Sequence, residues 1–142
     1  MSFEGIKKWY HVLLYALLWI WQLPQNLLGL ILSAYIIDRG GQRHICSIKI
    51  KGKVHKARFV YLRTFPGGIT LGEYIVIGGR WDENDVRHEY GHVRQSRILG
   101  WLYLVVIGIA SLLHACLHRL SKNKKYSHFW TEKWAEKLGG IL

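Results

Sequence analysis

The sequence predicts an α+β fold in which membrane-embedded helices carry a small antiparallel sheet and a helix bearing an HExxH active-site motif. Three observations predict it. No Asp, Glu, Lys or Arg occurs from Val12 to Ile37 or from Ile98 to His118, and each stretch has the length needed to cross a bilayer as one helix of about 20 residues. Residues 45–77 alternate with period two between glycine-rich breaks. Residues 82–97 open with a cluster of capping carboxylates and continue without a helix breaker through His88-Glu89-Tyr90-Gly91-His92.

The composition fits one domain. The chain has 142 residues, 50% hydrophobic and 20% charged, with a net charge of +11, so it is too short for several domains and too apolar for disorder. A mean hydropathy of +0.05 beside that charged fraction requires apolar and charged residues to be segregated along the chain, as in a small membrane protein. The basic residues show none of the aromatic interleaving of an RNA-binding module, so no nucleic acid partner is expected. Cations flanking apolar segments instead suit anionic lipid head groups. Cys46 and Cys116 are too few to define a disulfide framework.

Residues 1–38 read as a membrane anchor. Lys7 and Lys8 precede the apolar run as in a secretory signal, but no small-residue cleavage site follows, so the segment is expected to be retained. Gln22, Pro24, Gln25 and Asn26 interrupt it, and a proline inside a helix forces a kink or reversal near Leu23. A kinked span and a re-entrant hairpin are both consistent with this. Residues 39–80 read as the sheet, with strands Ile45–Lys51, Ala57–Arg63 and Tyr74–Ile77. In Ile48-Lys49-Ile50-Lys51 the lysines face one way and the isoleucines the other, giving one wet and one packed face. Phe129 to Leu138 forms a further helix, stopped by Gly139-Gly140.

HExxH on a helix puts two imidazoles on one face, four residues apart, where both can bind one zinc ion, with the intervening glutamate placed to act as general base on water. Catalytic zinc needs a third protein ligand. The metzincin extension requires Gly and His at positions held by Gln95 and Ile98, so that class is eliminated. Downstream of His92 the carboxylates of the chain are Glu132 and Glu136, four residues apart on one helical face, which is the arrangement of a glutamate ligand and a supporting acid.

HExxH followed by a helix bearing Glu-x-x-x-Asp/Glu resembles the gluzincin branch of the zincin metallopeptidases. The resemblance covers residues 82–97 and 129–138. It implies zinc bound by His88, His92 and Glu132, Glu89 as the base that activates water, and Glu136, standing where aspartate is usual, as the acid that orients a histidine ligand. The implied activity is hydrolysis of peptide bonds in peptides or proteins near the membrane, by a minimal, membrane-attached, zincin-like domain spanning residues 1–142. Tyr126 and His128 are candidate oxyanion donors, and Ile75–Gly78 is either a substrate-binding edge or ordinary sheet core. Because Glu132 must reach the two histidines, the apolar stretch 98–118 is expected to enter and return, turning at Gly108–Ser111. Sheet, motif helix and C-terminal helix then share one side of the membrane with all the Lys and Arg residues except Lys7 and Lys8. By the positive-inside tendency that side is cytoplasmic, as for a bacterial inner-membrane protein. The alternative is a non-catalytic membrane protein with a structural or absent zinc site, its basic sheet serving as a lipid or partner surface.

Overall fold

The computed structural model describes residues 3–120 and 130–142. Two helices, α1 (Phe3–Trp21) and α2 (Leu23–Asp38), precede four strands, β1 (Gln42–Ile50), β2 (Lys53–Leu62), β3 (Gly68–Leu71) and β4 (Tyr74–Gly78). The motif helix α3 (Glu83–Leu99) follows, then a short 3-10 turn and a π-type turn, then α4 (Ile109–Leu120) and α5 (Trp130–Gly139).

The expected kink is present. Gln22 separates α1 from α2, Pro24 occupies the first turn of α2 where its missing N–H costs nothing, and the two helices meet at 92°. No single helix among the described residues is long and apolar enough to cross a membrane. Two bent pairs, Trp9–Trp21 with Leu23–Asp38 and Glu83–Leu102 with Leu104–Leu113, have the required length and composition only together.

The sheet is mixed, which corrects the antiparallel expectation. Its order is β1-β2-β4-β3, with β1 and β2 antiparallel, β2 and β4 parallel, and β3 and β4 antiparallel. The cause is β3, which the alternation pattern does not reveal. After β2 the chain runs through Pro66-Gly67 to the far edge, then returns through a tight turn at Gly72 (φ 65°), so β4 fills the gap beside β2 in the same direction. Ile75, Val76 and Ile77 are all buried, the unbroken apolar run of a strand covered on both faces.

Helices cover both sides of this sheet. On one face Ile48, Ile50, Ala57, Phe59, Ile75 and Ile77 pack against Val86, Tyr90 and Val93 of α3. On the other, Val60 and Val76 meet Ile36 of α2. α5 then lies against α3, with Gly91 in close approach to the main chain of Ala135 and Gly139 to that of Arg87. Arg94 Nη1 donates to the Leu138 carbonyl (2.8 Å), and Arg87 donates to those of Gly139 and Gly140, so two cations of α3 cap the carbonyl end of α5.

The reversal expected at Gly108–Ser111 occurs earlier. α3 ends at Gly100 (φ 54°), and the chain bends by 114° between Leu102 and Leu104. A side chain at Gly100 would collide with the Trp21 ring, so the bend is set by packing against the α1–α2 break. Gln25 Nε2 donates to the Gly100 carbonyl (2.7 Å), Trp21 Nε1 to that of Arg97 and Trp101 Nε1 to that of Ile20 (both 3.1 Å). The two breaks satisfy each other's open backbone groups.

Candidate metal centre

α3 begins with a complete capping box. Asp82 accepts from the main chain of Asn84 and Asp85, while the Asp85 carboxylate accepts from Asp82 N–H. From there the 3.6-residue repeat gives the helix two functional faces. Arg87, Gly91 and Arg94 grip α5. His88, His92 and Gln95 face the candidate site.

Docking of α5 brings Glu132 to both histidines, so residues 44 and 40 positions apart in sequence become neighbours. Glu132 Oε2 lies 3.1 Å from His88 Nε2 and 3.4 Å from His92 Nε2, and the two imidazole nitrogens are 3.2 Å apart. The structure thus joins the three residues expected to be ligands into one candidate metal-binding group. Ser111 Oγ and Thr131 Oγ1 lie 3.3 and 3.4 Å from the other carboxylate oxygen, Oε1, leaving Oε2 to face the imidazoles.

Electrostatics bind the triad together. Burial disfavours a charge on His92, but the Glu132 carboxylate against its ring, with Glu89 nearby, raises its pKa above the ordinary imidazole value. Burial likewise opposes the charge on Glu132, and the two imidazoles override it, holding its carboxyl far below the usual carboxylate range.

Sequence reading missed four residues that set this geometry. His92 Nδ1 donates to Gln95 Oε1 (2.7 Å), and Gln95 Nε2 donates to the Thr131 carbonyl (2.8 Å). The second bond fixes which way the amide points, and the first keeps a proton on Nδ1 and leaves Nε2 to the site. Glu136, expected to orient a histidine, forms no hydrogen bond to either one among the described residues, and Gln95 occupies that role for His92. The signal was present, since Gln95 lies three residues after His92 on the same helical face. Thr70 of β3 donates to Glu89 Oε2 (2.6 Å), and Tyr103 donates to the Thr70 carbonyl (3.0 Å). Gly68 leaves room for Glu89, because a side chain there would strike its carboxylate. No sequence pattern pairs these β3 residues with α3.

A cleft of about 630 Å³ runs past His88, Glu89, His92 and Glu132, between Pro66–Leu71 on one side and Leu104, Ile107 and Leu112 on the other. The strand bordering it is β3, at the sheet edge. Of the two readings of Ile75–Gly78, the structure supports sheet core: β4 is central and paired on both sides, so it is not the substrate edge. Tyr126 and His128, the candidate oxyanion donors, lie outside the described residues.

No protein-family model, no curated protein and no solved structure matches the chain.

Proposed function

We propose that the protein is a membrane-attached zinc metallopeptidase of the gluzincin-like kind. The observation that carries the reading is the triangle of His88 Nε2, His92 Nε2 and Glu132 Oε2, with sides of 3.1, 3.2 and 3.4 Å. Tetrahedral ligands at about 2.0–2.1 Å from zinc stand about 3.3–3.4 Å from one another. Two nitrogens and one carboxylate oxygen, with a fourth position toward the cleft, are the donor set of a hydrolytic site rather than a closed structural one.

When bound, zinc polarises the substrate carbonyl and acidifies water. Glu89 takes the proton of the attacking water as its oxygen bonds to the carbonyl carbon, then passes it to the departing amine as the C–N bond breaks. Thr70 steadies Glu89 by binding Oε2. Gln95 holds His92 in the ligating tautomer. β3 offers its unpaired edge to an extended peptide, and the apolar wall opposite favours substrates with large hydrophobic side chains.

Membrane attachment is supported by an inverted distribution of side chains. Gln22, Gln25 and Asn26 are fully buried, whereas Trp9 (67% exposed), Ile31 (66%), Trp101 (58%) and Leu112 (66%) stand outside, a distribution suited to apolar surroundings. The concentration of cations around the sheet supports a cytoplasmic orientation of the site, by the positive-inside tendency.

The experiment is zinc content per chain of detergent-purified protein, together with cleavage of a quenched-fluorescent library of apolar peptides. One zinc per chain is expected in the native protein, lost in His92→Ala and Glu132→Ala. Glu89→Gln is expected to keep the metal and lose at least about a hundredfold in cleavage rate. Full zinc retention in Glu132→Ala, or undiminished cleavage by Glu89→Gln, would overturn the assignment.

A further inference from the structure

A second cavity, of about 390 Å³, lies at the start of β4, on the flank of β2 that β4 does not reach. Tyr15 of α1, Tyr90 and Arg97 of α3, and Lys56 and Arg58 of β2 line it together with Glu73. Glu73 is committed to Arg97 through two bonds of 2.6 and 2.7 Å. Lys56 and Arg58 have no acidic partner among the described residues, and both are exposed.

The pairing register extends this charge into a surface. Arg58 stands opposite Ile45 and Lys56 opposite Ser47, so these residues share one sheet face with Arg43 and Lys49. No Asp or Glu occurs between Asp38 and Glu73. The same face also carries Val60, which packs on Ile36 of α2. α1 reaches the cavity through Tyr15 (54% exposed) and leaves Val12 (56%), Leu13 (58%) and Leu17 (54%) uncovered elsewhere on its surface. A pair of free cations therefore adjoins an uncovered apolar helix.

That juxtaposition matches an amphiphile. We propose that the cavity seats the head group of an anionic phospholipid, its phosphate on Lys56 and Arg58 and its acyl chains along the apolar flank of α1. The inference rests on the membrane attachment argued above, but not on the zinc chemistry. A nucleic acid would satisfy the cations and leave the apolar flank without a role.

The test uses the full chain in a neutral detergent, equilibrated with mixed micelles of equimolar phosphatidylglycerol and phosphatidylcholine. Lipid that stays with the protein through gel filtration is quantified by mass spectrometry. With each cation near an anionic head group contributing about a fivefold preference, Lys56 and Arg58 together should make the native protein enrich phosphatidylglycerol roughly 25-fold. Lys56→Gln/Arg58→Gln should fall to the micelle ratio. Lys133→Gln/Lys137→Gln, which removes equal charge from exposed positions on α5, should retain the enrichment. Equal retention in the native and Lys56/Arg58 proteins, or an equal loss in both double variants, would overturn the seat. So would the absence of lipid enrichment alongside tight binding of a single-stranded oligonucleotide. Zinc content, measured on the same samples, reports the metal centre independently, so failure of either reading is seen separately.

Discussion

Thr70 and Gln95 each touch a central group of the site without being a metal ligand. Thr70 is buried (5% exposed) and donates to Glu89 Oε2. Thr70→Val keeps the shape and removes the donor, so it should leave zinc content unchanged, lower peptide cleavage by about tenfold or more and cost about 1–2 kcal/mol in chemical denaturation. Gln95→Leu has the opposite signature. With His92 Nδ1 and the Thr131 carbonyl both left unpaired, zinc affinity measured by competition with a chromophoric chelator should fall about 10–100-fold. An unchanged affinity would show that His92 needs no orienting partner. The cluster of His88, His92 and Glu132 was legible in the sequence because helical spacing puts the two histidines on one face and few carboxylates remain downstream. Thr70 was not, because a hydrogen bond between an edge strand and a helix leaves no periodic trace. Gln95 was readable in principle, by extending the helical face one more step past His92.

Among the elements, α5 matters most to the site, since it supplies Glu132 and is held by contacts with no slack. A methyl group at Gly91 would enter the main chain of Ala135. Gly91→Ala should therefore displace α5, with about 1–3 kcal/mol lost and zinc stoichiometry reduced although every ligand is still encoded. If zinc is held, as proposed, by His88 and His92 of α3 and Glu132 of α5, chelation should lower Tm and speed amide hydrogen exchange in Trp130–Gly139 more than in β1 or β2. Uniform acceleration across the sheet would argue against this division. Element types and ends were largely readable: Asp82 caps α3 and Gly139-Gly140 ends α5, as expected from local chemistry. The sheet topology was not, because β3 has only Ile69 and Leu71 as large apolar residues and begins inside a glycine-rich segment that resembles a loop. The turn after α3 was likewise misplaced toward Gly108, since nothing local distinguishes that glycine from Gly100. The distinction is tertiary, and the Trp21 ring against Gly100 makes it.

For the whole molecule, the layers run from α2 through the sheet to α3 and α5, with an apolar exterior on α1, α2 and the 98–113 segment. If that exterior meets acyl chains, lipids brominated along the chain should quench tryptophan emission in reconstituted protein. Trp101→Phe should reduce the quenched fraction, while Trp81→Phe, which removes a ring packed against Phe59 and Tyr61, should increase it. Quenching that is unaffected by Trp101→Phe would place this surface outside the bilayer. The apolar stretches themselves were evident from composition, but their broken geometry was only half so. Pro24 announces the first break, and nothing comparable announces the second.

The bond from Gln25 to the Gly100 carbonyl spans 75 residues, and that separation imposes an order on biosynthesis. At about 5–20 residues per second, the partner of this amide emerges roughly 4–15 seconds after the amide itself. Throughout that interval the newly made α1–α2 pair carries open polar groups that lipid cannot satisfy. In a membrane-attached chain, as proposed, those open groups would hold the nascent pair at the membrane surface until the end of α3 arrives to close the joint.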